Sequence, residues 1–329
     1  MSLDADTIVD RRRMRRKLTV WRVLALLLAI VTVVAIGAAV TNPNMGLAER
    51  STGAQIARIQ IRGLIRNDQE RVEALDTLAK ARRARAVIVH IDSPGGTTAG
   101  SEQLHDALLK LAAQKPMVVV VDGLAASGAY IAAMASEYIV AQETSLVGSI
   151  GVLFQYPNVT DLLKTIGVRV EEIKSSPLKA APNGFEPTSP EARAAIEAIV
   201  KDSYAWFRGM VQARRHIEGE QLDAVADGRV FTGRQGRELK LVDALGNEQT
   251  AIEWLTKVKG VDPKTPVRDW SLKSRLSDLS FLHMATAWVL DSVGLSSLAR
   301  LVEQSGTAQA IERLNLDGLL ALWHPPATN

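Results

Sequence analysis

The sequence predicts an α/β fold, because buried strands and helices alternate along it. Residues 86–91 and 117–121 are short, almost wholly apolar runs bounded by turn residues, which is typical of strands covered on both faces. Residues 69–85 and 100–114 carry leucines at helical spacing, and one of these segments precedes each strand. Strands that alternate with helices in this way indicate the repeating unit of an α/β protein.

Further segments continue this order. Residues 55–63 alternate apolar and polar side chains and predict a half-exposed strand, and residues 137–141, 146–152 and 168–174 predict further extended segments. A long helix is expected from about residue 190 to about residue 215, because Thr188 and Glu191 have capping-box spacing and Pro190 suits a first turn. Shorter helices are expected at residues 235–239 and 250–259, and residues 175–187 form a proline-containing loop.

The first forty residues have the pattern of a membrane anchor. Residues 1–22, the predicted cytoplasmic segment, hold seven basic and three acidic side chains, and the eighteen residues 23–40 carry no charge. This length is near the lower limit of a spanning helix, and the basic flank favours a cytoplasmic N-terminus with the rest of the chain exported. The alternative is a signal peptide cleaved near residues 35–39, although the usual apolar core of such a peptide has only about 7–15 residues. A linker is expected at residues 41–54.

The chain beyond Gly260 differs in composition. Leucines recur at helical spacing between residues 272 and 289, and charged side chains are few. These residues predict a helical C-terminal extension, residues 260–329, which either packs on the fold or lies at a membrane interface.

Composition excludes several classes of function. The 329-residue chain has a net charge of +3 and its basic side chains are concentrated in residues 1–22, so no surface for nucleic acid is expected over the fold. The absence of cysteine excludes a thiol nucleophile, a disulfide framework and a cysteine-ligated zinc site. The five histidines are scattered, so the sequence offers no metal ligand set, and no cofactor is expected.

One serine lies where a strand is expected to turn into a helix. The apolar run at residues 117–121 leads through Asp122 and Gly123 to a helical pattern of small residues that opens at Ser127. The hydroxyl is therefore expected beside unpaired amide groups and the positive end of a helix dipole, where an alkoxide is stabilised. Serine is also a favoured N-cap residue, so a purely structural role is the alternative.

Two other small-residue turns have both a structural and a catalytic interpretation. Gly95 and Gly96 follow the strand at residues 86–91, and such a pair lets backbone amides approach a ligand oxygen, as an oxyanion hole requires. Ser149 lies in a segment with glycines on both sides, at residues 147–152. Glycine and serine are also common in ordinary turns, so neither turn identifies a site by itself.

Five motifs taken together resemble the signal peptide peptidase A (SppA) family of serine peptidases. They are Asp92-Ser-Pro-Gly-Gly96, Gly123-Leu-Ala-Ala-Ser-Gly128, Val147-Gly-Ser-Ile-Gly-Val152, the loop lysine Lys179 and Asp227-Gly-Arg-Val-Phe-Thr-Gly233. They follow the family order over residues 55–259, the expected peptidase domain, and each occurs once, as in the half-length form of the family. The resemblance implies a ClpP/crotonase-like fold of repeated ββα units, which here follows the predicted anchor.

The resemblance also implies a Ser-Lys dyad. Ser127 matches the family's nucleophile, Lys179 its general base and Ser149 the hydroxyl that orients the lysine. The amides of the two glycines at 95 and 96 and of Gly128 match the oxyanion hole. A lysine is a base only when it is neutral, so its pKa must fall by about 3 units from ~10.4, which burial in an apolar site supplies.

Two competing catalytic arrangements remain open in the sequence. Lys174, five residues before Lys179, is a second candidate base. A Ser-His-Asp triad would use His90 and Asp92, the nearest such pair, but these two residues alternate along one strand and no Gly-x-Ser-x-Gly elbow is present.

Expectations about assembly and substrate follow from the resemblance. Half-length members form oligomeric rings or domes in which neighbouring subunits supply the serine and the lysine, so a homo-oligomer is expected. The implied substrates are short apolar peptides, notably signal-peptide remnants, at the periplasmic face of the bacterial inner membrane. The alternatives are a related peptidase that clips stomatin-like membrane proteins, an acyl-CoA enzyme of crotonase type, and a catalytically silent membrane scaffold.

Overall fold

The computed structural model describes residues 53–272 and 319–322. The strands in this part of the chain are β1 (Gln55–Arg62), β2 (Ala84–Ser93), β3 (Gly95–Thr97), β4 (Met117–Ala126), β5 (Ile139–Ala141), β6 (Leu146–Gly148), β7 (Leu153–Phe154), β8 (Val230–Thr232), β9 (Ala244–Leu245), β10 (Val267–Asp269) and β11 (Leu319–Leu322). The helices are α1 (Gln69–Lys80), α2 (Thr98–Ala112), α3 (Gly128–Ala133), α4 (Thr160–Thr165), α5 (Pro190–Arg215), α6 (Gly219–Val225), α7 (Gly233–Glu238) and α8 (Glu248–Lys259).

A central sheet has the strand order β10-β1-β2-β4-β5-β9, and all neighbours along this path are parallel. Two further strands join it, since β6 pairs in parallel with β4 and β8 pairs antiparallel with β6. The predicted α/β class is therefore confirmed, with a mixed sheet in the described residues.

Alternate side chains of the central strands pack on opposite faces of the sheet. Val87, Val89 and Ile91 of β2 join a core formed with α1, α2, α3 and α5, whereas Ile88 joins a second core formed with α8. The same alternation runs through β1 and β4. Burial on both faces explains why β2 and β4 contain nearly continuous apolar runs.

Strand β4 changes partners along its length. Its first half pairs with β5 through Val119–Val121, and its last three residues pair with β6, with Ala126 opposite Gly148. The change occurs after Asp122 and Gly123, where the register between β2 and β4 also shifts. The end of β4 therefore lies beside β6, and Ser127 follows directly.

A second, three-stranded sheet lies at the end of β2. Strand β11 is its central strand and pairs antiparallel with β3 on one side and with β7 on the other. The helical extension predicted for residues 260–329 is wrong at Val267–Asp269, which form β10, and at Leu319–Leu322, which form this strand. Residues 273–318 and 323–329 lie outside the described part of the chain.

Two smaller predictions also need correction. Residues 168–174 form no strand, and none of the described strands pairs with them. Helix α5 is capped by Ser189, whose hydroxyl accepts from the amide of Ala192, whereas Thr188 bonds to Tyr156 instead of forming the predicted capping box. The helix ends at Arg215, as expected.

The predicted anchor at residues 23–40, the basic segment and most of the linker lie outside the described residues. Within residues 53–272 and 319–322, no helix has both the length and the apolar character that a bilayer crossing requires.

Candidate active site

Ser127 occupies the N-cap position of α3 but does not cap the helix. Its side chain makes no capping hydrogen bond, and the residue is only 1% exposed. Its backbone dihedrals are φ 54° and ψ −118°, a region that non-glycine residues rarely occupy and that costs about 1–3 kcal/mol. The ordinary structural role of an N-cap serine therefore does not explain this residue, because the hydroxyl is held in a strained position without making the stabilising bond.

The helix that follows Ser127 is buried on every side. All six residues of α3 are buried, and Tyr130 donates a hydrogen bond from its hydroxyl to the carbonyl oxygen of Leu241 at 2.7 Å. Burial raises the pKa of Tyr130 well above its ordinary value, so this hydroxyl is a permanent donor. The small side chains in the sequence of α3 thus reflect close packing that fixes the position of Ser127.

Ser149 lies at the end of the neighbouring strand. Ala126 and Gly148 are partners in the β4–β6 ladder, and each is followed directly by one of the two serines. The amide of Ser127 donates to the carbonyl oxygen of Gly148 at 2.8 Å, and Ser149 also has a positive φ, of 52°. The predicted grouping of Ser127 with Ser149 is therefore present in the backbone, although no hydrogen bond joins their side chains among the described residues.

The Asp227-Gly-Arg-Val-Phe motif supports Ser149 from the other side. The amide of Ser149 donates to the carbonyl oxygen of Arg229 at 2.8 Å. Asp227 accepts from the backbone amide and the Nε of Arg229, and this pairing lowers the pKa of the Asp227 carboxyl. Phe231 packs so close to Gly148 that an added Cβ there would lie 3.0 Å from its ring. The motif therefore holds the end of β6 in place.

The Gly95-Gly96 turn is held by Ser93 and Ile65. Ser93 donates to the carbonyl oxygen of Gly63 at 2.7 Å and accepts from the amide of Gly95 at 3.1 Å. Ile65 donates to the carbonyl oxygen of Gly95 and accepts from the amide of Thr97. A Cβ on Gly96 would lie 1.7 Å from the carbonyl oxygen of Ile65, so only glycine fits there.

These bonds determine where the amide of Gly96 points. Backbone polar groups alternate sides along a strand, and Gly95 and Thr97 use the side that faces Ile65. The amide and the carbonyl group of Gly96 therefore face the opposite side, toward β11. The amide of Gly95 is already bonded to Ser93, and that of Gly128 has no hydrogen-bond acceptor among the described residues.

Lys179 lies apart from this arrangement in the single chain. It belongs to a turn at residues 176–180, where its amide donates to the carbonyl oxygen of Ser176, and its side chain is exposed. No hydrogen bond or ion pair of its ammonium is present in the part of the chain that the structure describes. One chain therefore brings Ser127, Ser149 and the glycine turns into one region but does not bury Lys179.

Lys174, the competing base, is paired with carboxylates. Its ammonium lies 2.7 Å from Glu172 and 2.5 Å from Glu186. The hydrogen bond to Glu172, and then that to Glu186, raises the pKa of Lys174 above its ordinary value. This lysine stays charged at neutral pH, which makes it unfit to accept a proton.

The histidine alternative is also excluded by its contacts. His90 Nδ1 lies 2.8 Å from Asp122 Oδ1, and Nε2 lies 2.8 Å from Glu248 Oε2. Both ring nitrogens are occupied by carboxylates, and neither partner is Asp92. Sequence reasoning missed this cluster because the partners of His90 are 32 and 158 residues away along the chain.

Comparison with known proteins places the chain in a family. Residues 110–262 match the sequence profile of peptidase family S49, and residues 54–145 match that of Clp protease. The first match contains Ser127, Ser149 and Lys179, and the second supports a Clp-protease-like α/β fold.

Several named proteins are similar to this chain. A protein of Synechocystis sp. named as a protease is 36% identical over 215 residues, which are 65% of this chain and 77% of that protein. A protein of Methanocaldococcus jannaschii, also named as a protease, is 34% identical over 190 residues, 58% of this chain and 61% of its own length. Protease 4 of Salmonella typhi is 32% identical over 262 residues, 77% of this chain but only 41% of its own length.

One solved structure, of a membrane-bound stomatin-specific protease, has a TM-score of 0.42 and 14% identity. It aligns over 67% of this chain and 99% of that one. The family profile and the sequence relatives together identify the family of this chain. This chain belongs to peptidase family S49, the SppA family of serine peptidases.

Proposed function

We propose that this protein is a membrane-anchored serine endopeptidase in which Ser127 is the nucleophile and Lys179 of a neighbouring copy is the general base. The observation that carries the proposal is the position of Ser127, buried and strained at a strand-to-helix junction without capping the helix. Strain of this kind persists where it serves a function. The family membership makes peptide hydrolysis the chemistry to expect.

Lys179 is proposed as the base because the other candidate bases are paired with carboxylates. A serine hydroxyl becomes a nucleophile only when a base removes its proton. His90 and Lys174 are both engaged with carboxylates, so neither is free to accept that proton. Lys179 carries no such partner among the described residues, which supports it as the base once a neighbouring chain buries it.

Exposed apolar side chains support an assembly of several copies. Seven of the twelve large apolar residues exposed in the described residues fall between residues 162 and 185, the segment that contains Lys179. They are Leu162, Ile166, Val168, Val170, Ile173, Leu178 and Phe185. Exposed apolar side chains concentrated in one segment favour an interaction with a partner, and a second copy of the chain packed on this segment would remove Lys179 from water.

The glycine turns supply the oxyanion hole in this proposal. The amide of Gly96 faces the side of β3 opposite Ile65, and that of Gly128 directly follows the proposed nucleophile and has no acceptor among the described residues. Gly95 is the weaker of the three candidates because its amide donates to Ser93. Two amides aimed at the oxygen that becomes negative are the usual requirement for acyl transfer.

The reaction then has two halves. Ser127 Oγ attacks the carbonyl carbon of the peptide bond while its proton passes to the neutral amine of Lys179, and Ser149 orients that amine. The tetrahedral intermediate collapses as the leaving amine takes the proton from the lysine, and an acyl-enzyme remains. Water attacks this ester with Lys179 again as base, which releases the carboxylic acid and restores Ser127.

Substrate and location belong to the same proposal. An anchor at residues 23–40 would hold the catalytic domain at the periplasmic face of the inner membrane, where short apolar peptides such as signal-peptide remnants collect. Comparing the cleavage of a signal-peptide fragment with that of a stomatin-like protein separates this substrate class from the related branch of the family.

Mixing two inactive variants tests the shared dyad. Ser127→Ala and Lys179→Ala are each expected to abolish hydrolysis of an apolar peptide while the assembly stays intact by size-exclusion chromatography. When the two are co-expressed in equal amounts, a dyad built from two copies restores about one quarter of the wild-type activity, because half of the nucleophiles meet half of the bases.

Lys174→Ala is the matched control and is expected to retain activity, since its ammonium only pairs with Glu172 and Glu186. No recovery in the mixture would assign both residues to one chain. Full activity of Ser127→Ala or of Lys179→Ala alone would refute the proposed mechanism.

A further inference from the structure

Strand β4 contains a bulge shortly before Ser127. Ile91 of β2 lies opposite Val121, but Ser93 lies opposite Ala125. Two residues along β2 are therefore matched by four along β4, and the two additional residues form the bulge. A bulge of this kind changes the direction of the side chains that follow it, and bulges are common next to active sites for that reason.

The bulge sets the register between the proposed nucleophile and the glycine turn. Ser127 follows Ala125 by two residues, as Gly95 follows Ser93, so this pairing brings the serine to the turn. Helix α3, which begins directly after Ser127, accordingly contacts β3. Without the two additional residues, Gly123 would lie opposite Ser93. Ser127 would then be shifted along the ladder by about 7 Å, at ~3.3 Å per residue.

Apolar packing does not hold the bulge. The other residues of β4 are buried, whereas Asp122, Gly123 and Leu124 are not. Gly123 also has no side chain with which to pack. The hydrogen bonds of these three residues are therefore what keeps the bulge in its shape.

Two side chains from outside β4 bond to the bulge. His90 Nδ1 lies 2.8 Å from Asp122 Oδ1. The hydroxyl of Ser145, a buried residue, donates to the carbonyl oxygens of Val121 and Asp122, at 3.1 and 2.8 Å, and accepts from the amide of Gln142. One contact thus fixes the side chain of the bulge, and the other fixes its backbone.

His90 is itself held from its other side. Its Nε2 lies 2.8 Å from Glu248 Oε2, and the same carboxylate accepts from Arg58 at 2.6 and 2.7 Å. Arg58 also donates to Asp269 of β10 at 2.9 Å. The imidazole, which is only 14% exposed, therefore cannot turn away from Asp122 without breaking its second bond.

We propose that His90 is a positioning residue for Ser127. Its bond to Asp122 holds the β4 bulge, and the bulge brings Ser127 to the glycine turn. The bond from His90 to Glu248 contributes to stability alone. This inference rests on the proposed function, because it takes Ser127 as the nucleophile, and it assigns no contact between His90 and the reacting atoms.

Two conservative variants of the full-length protein separate the two bonds of His90. The amide nitrogen of asparagine takes the place of Nδ1, and that of glutamine takes the place of Nε2. His90→Asn therefore keeps a donor for Asp122, and His90→Gln keeps one for Glu248.

The readouts are kcat and KM for an apolar peptide. His90→Asn is expected to retain the kcat of the wild type. His90→Gln is expected to lower kcat about tenfold with KM unchanged, because the peptide still binds while Ser127 is displaced. Equal kcat values in the two variants, or a loss that appears in KM instead, would overturn the proposal.

Ser145→Ala loosens the bulge from its other side and covers the case in which His90→Gln disturbs folding. It is expected to lower kcat about tenfold, again with KM unchanged. Leu255→Val in α8 is the stability control, because it shortens a buried side chain in the core beneath β2 and β4. It should lower the denaturant midpoint and leave kcat unchanged. An equal fall of kcat in Leu255→Val would attribute the effect to lost stability and overturn the proposal.

Hydrogen exchange of the Ser127 amide gives a readout that does not depend on catalysis, because this amide donates to Gly148. Exchange is expected to be about tenfold faster in His90→Gln and Ser145→Ala than in His90→Asn and Leu255→Val. Such faster exchange with no hydrolysis by the wild type would uphold the positioning role and refute the proposed function. Hydrolysis that depends on Ser127, with kcat and exchange unchanged in His90→Gln, would uphold the function and refute the positioning role.

Discussion

The amide of Ser127 donates a hydrogen bond to the carbonyl oxygen of Gly148 across 2.8 Å. This bond joins the residue that follows β4 to the last residue of β6, and Ser149 is the next residue along. One backbone contact thus links the position of Ser127, the proposed nucleophile, to that of Ser149. Gly148 is therefore the residue through which the two positions can be disturbed together.

Gly148→Ala is expected to lower the free energy of unfolding by about 1–3 kcal/mol and to reduce kcat. Gly148 has a φ of 96°, which alanine tolerates poorly, and the added Cβ would lie 3.0 Å from the ring of Phe231. Denaturant unfolding and peptide hydrolysis measure the two effects. Gly209→Ala in α5, where nothing lies within 4 Å of the added Cβ, is the control and is expected to be neutral or slightly stabilising.

Gly96→Ala is expected to destabilise the protein by about 3 kcal/mol or more and to abolish activity. Its Cβ would lie 1.7 Å from the backbone oxygen of Ile65, and backbone cannot move aside as a side chain can. Gly123→Ala provides the comparison, because its Cβ would meet only a carboxylate oxygen of Asp92, at 2.9 Å. Equal losses of stability in the two variants would contradict this interpretation of the Gly96 turn.

Tyr130→Phe is expected to cost about 1–2 kcal/mol of stability. The change removes the donor to the Leu241 carbonyl oxygen at 2.7 Å and leaves that oxygen without its partner in a buried position. Tyr138→Phe is the control, since that ring stacks on Trp254 and phenylalanine preserves the stacking. Thermal unfolding of the two variants should differ by several degrees, and equal melting temperatures would argue against a role for the Tyr130 hydroxyl.

The stability of the protein should fall in acid because of Glu248. Arg58 forms two hydrogen bonds to this carboxylate, His90 forms a third, and together they lower the pKa of Glu248 against the opposing effect of burial. A carboxyl group whose pKa is lower in the folded state contributes stability above its unfolded pKa of about 4.3 and loses it as the pH falls further.

Glu248→Gln should therefore lower the free energy of unfolding by about 1 kcal/mol at pH 7. The difference in this free energy between the variant and the wild type should shrink as the pH falls below about 4. Urea unfolding at several pH values measures this change. Glu253→Gln in the same helix removes only an exposed pair with Lys257 and is expected to leave the pH profile as it is in the wild type. If the difference in unfolding free energy between Glu248→Gln and the wild type stayed constant across the acid range, Glu248 would not be the source of the acid-dependent loss of stability.

Local patterns predicted the part of the fold that leads to Ser127. The apolar run of β4, the small residues of α3 and the helical spacing before each strand are all short-range signals, and the structure confirms them. The start of β5 and the cap of α5 differ from their predicted positions by one or two residues. The cap differs because it depends on which hydroxyl reaches the helix amides.

Long-range pairing is what the sequence could not reveal. Strand β11 forms only because β3 and β7 offer two edges to a segment far along the chain, and its composition resembled that of a helix. The strand predicted at residues 168–174 failed for the converse reason, since no strand in the described part of the chain pairs with it. The cluster around His90 likewise joins residues with no common motif, and the local sequence around Lys179 did not indicate that its side chain is exposed in the single chain.

The dihedral angles of Ser127 lower the stability of the folded protein at the position where the proposed mechanism requires a hydroxyl. Glycine adopts φ 54° and ψ −118° far more readily than any residue with a side chain. The free energy of unfolding of Ser127→Gly should therefore exceed that of Ser127→Ala by about 1 kcal/mol or more, which denaturant unfolding measures. Ser127→Gly should also be inert, since it has no hydroxyl. Stability alone would favour glycine at this position, so the hydroxyl that the proposed mechanism requires is retained at the expense of stability.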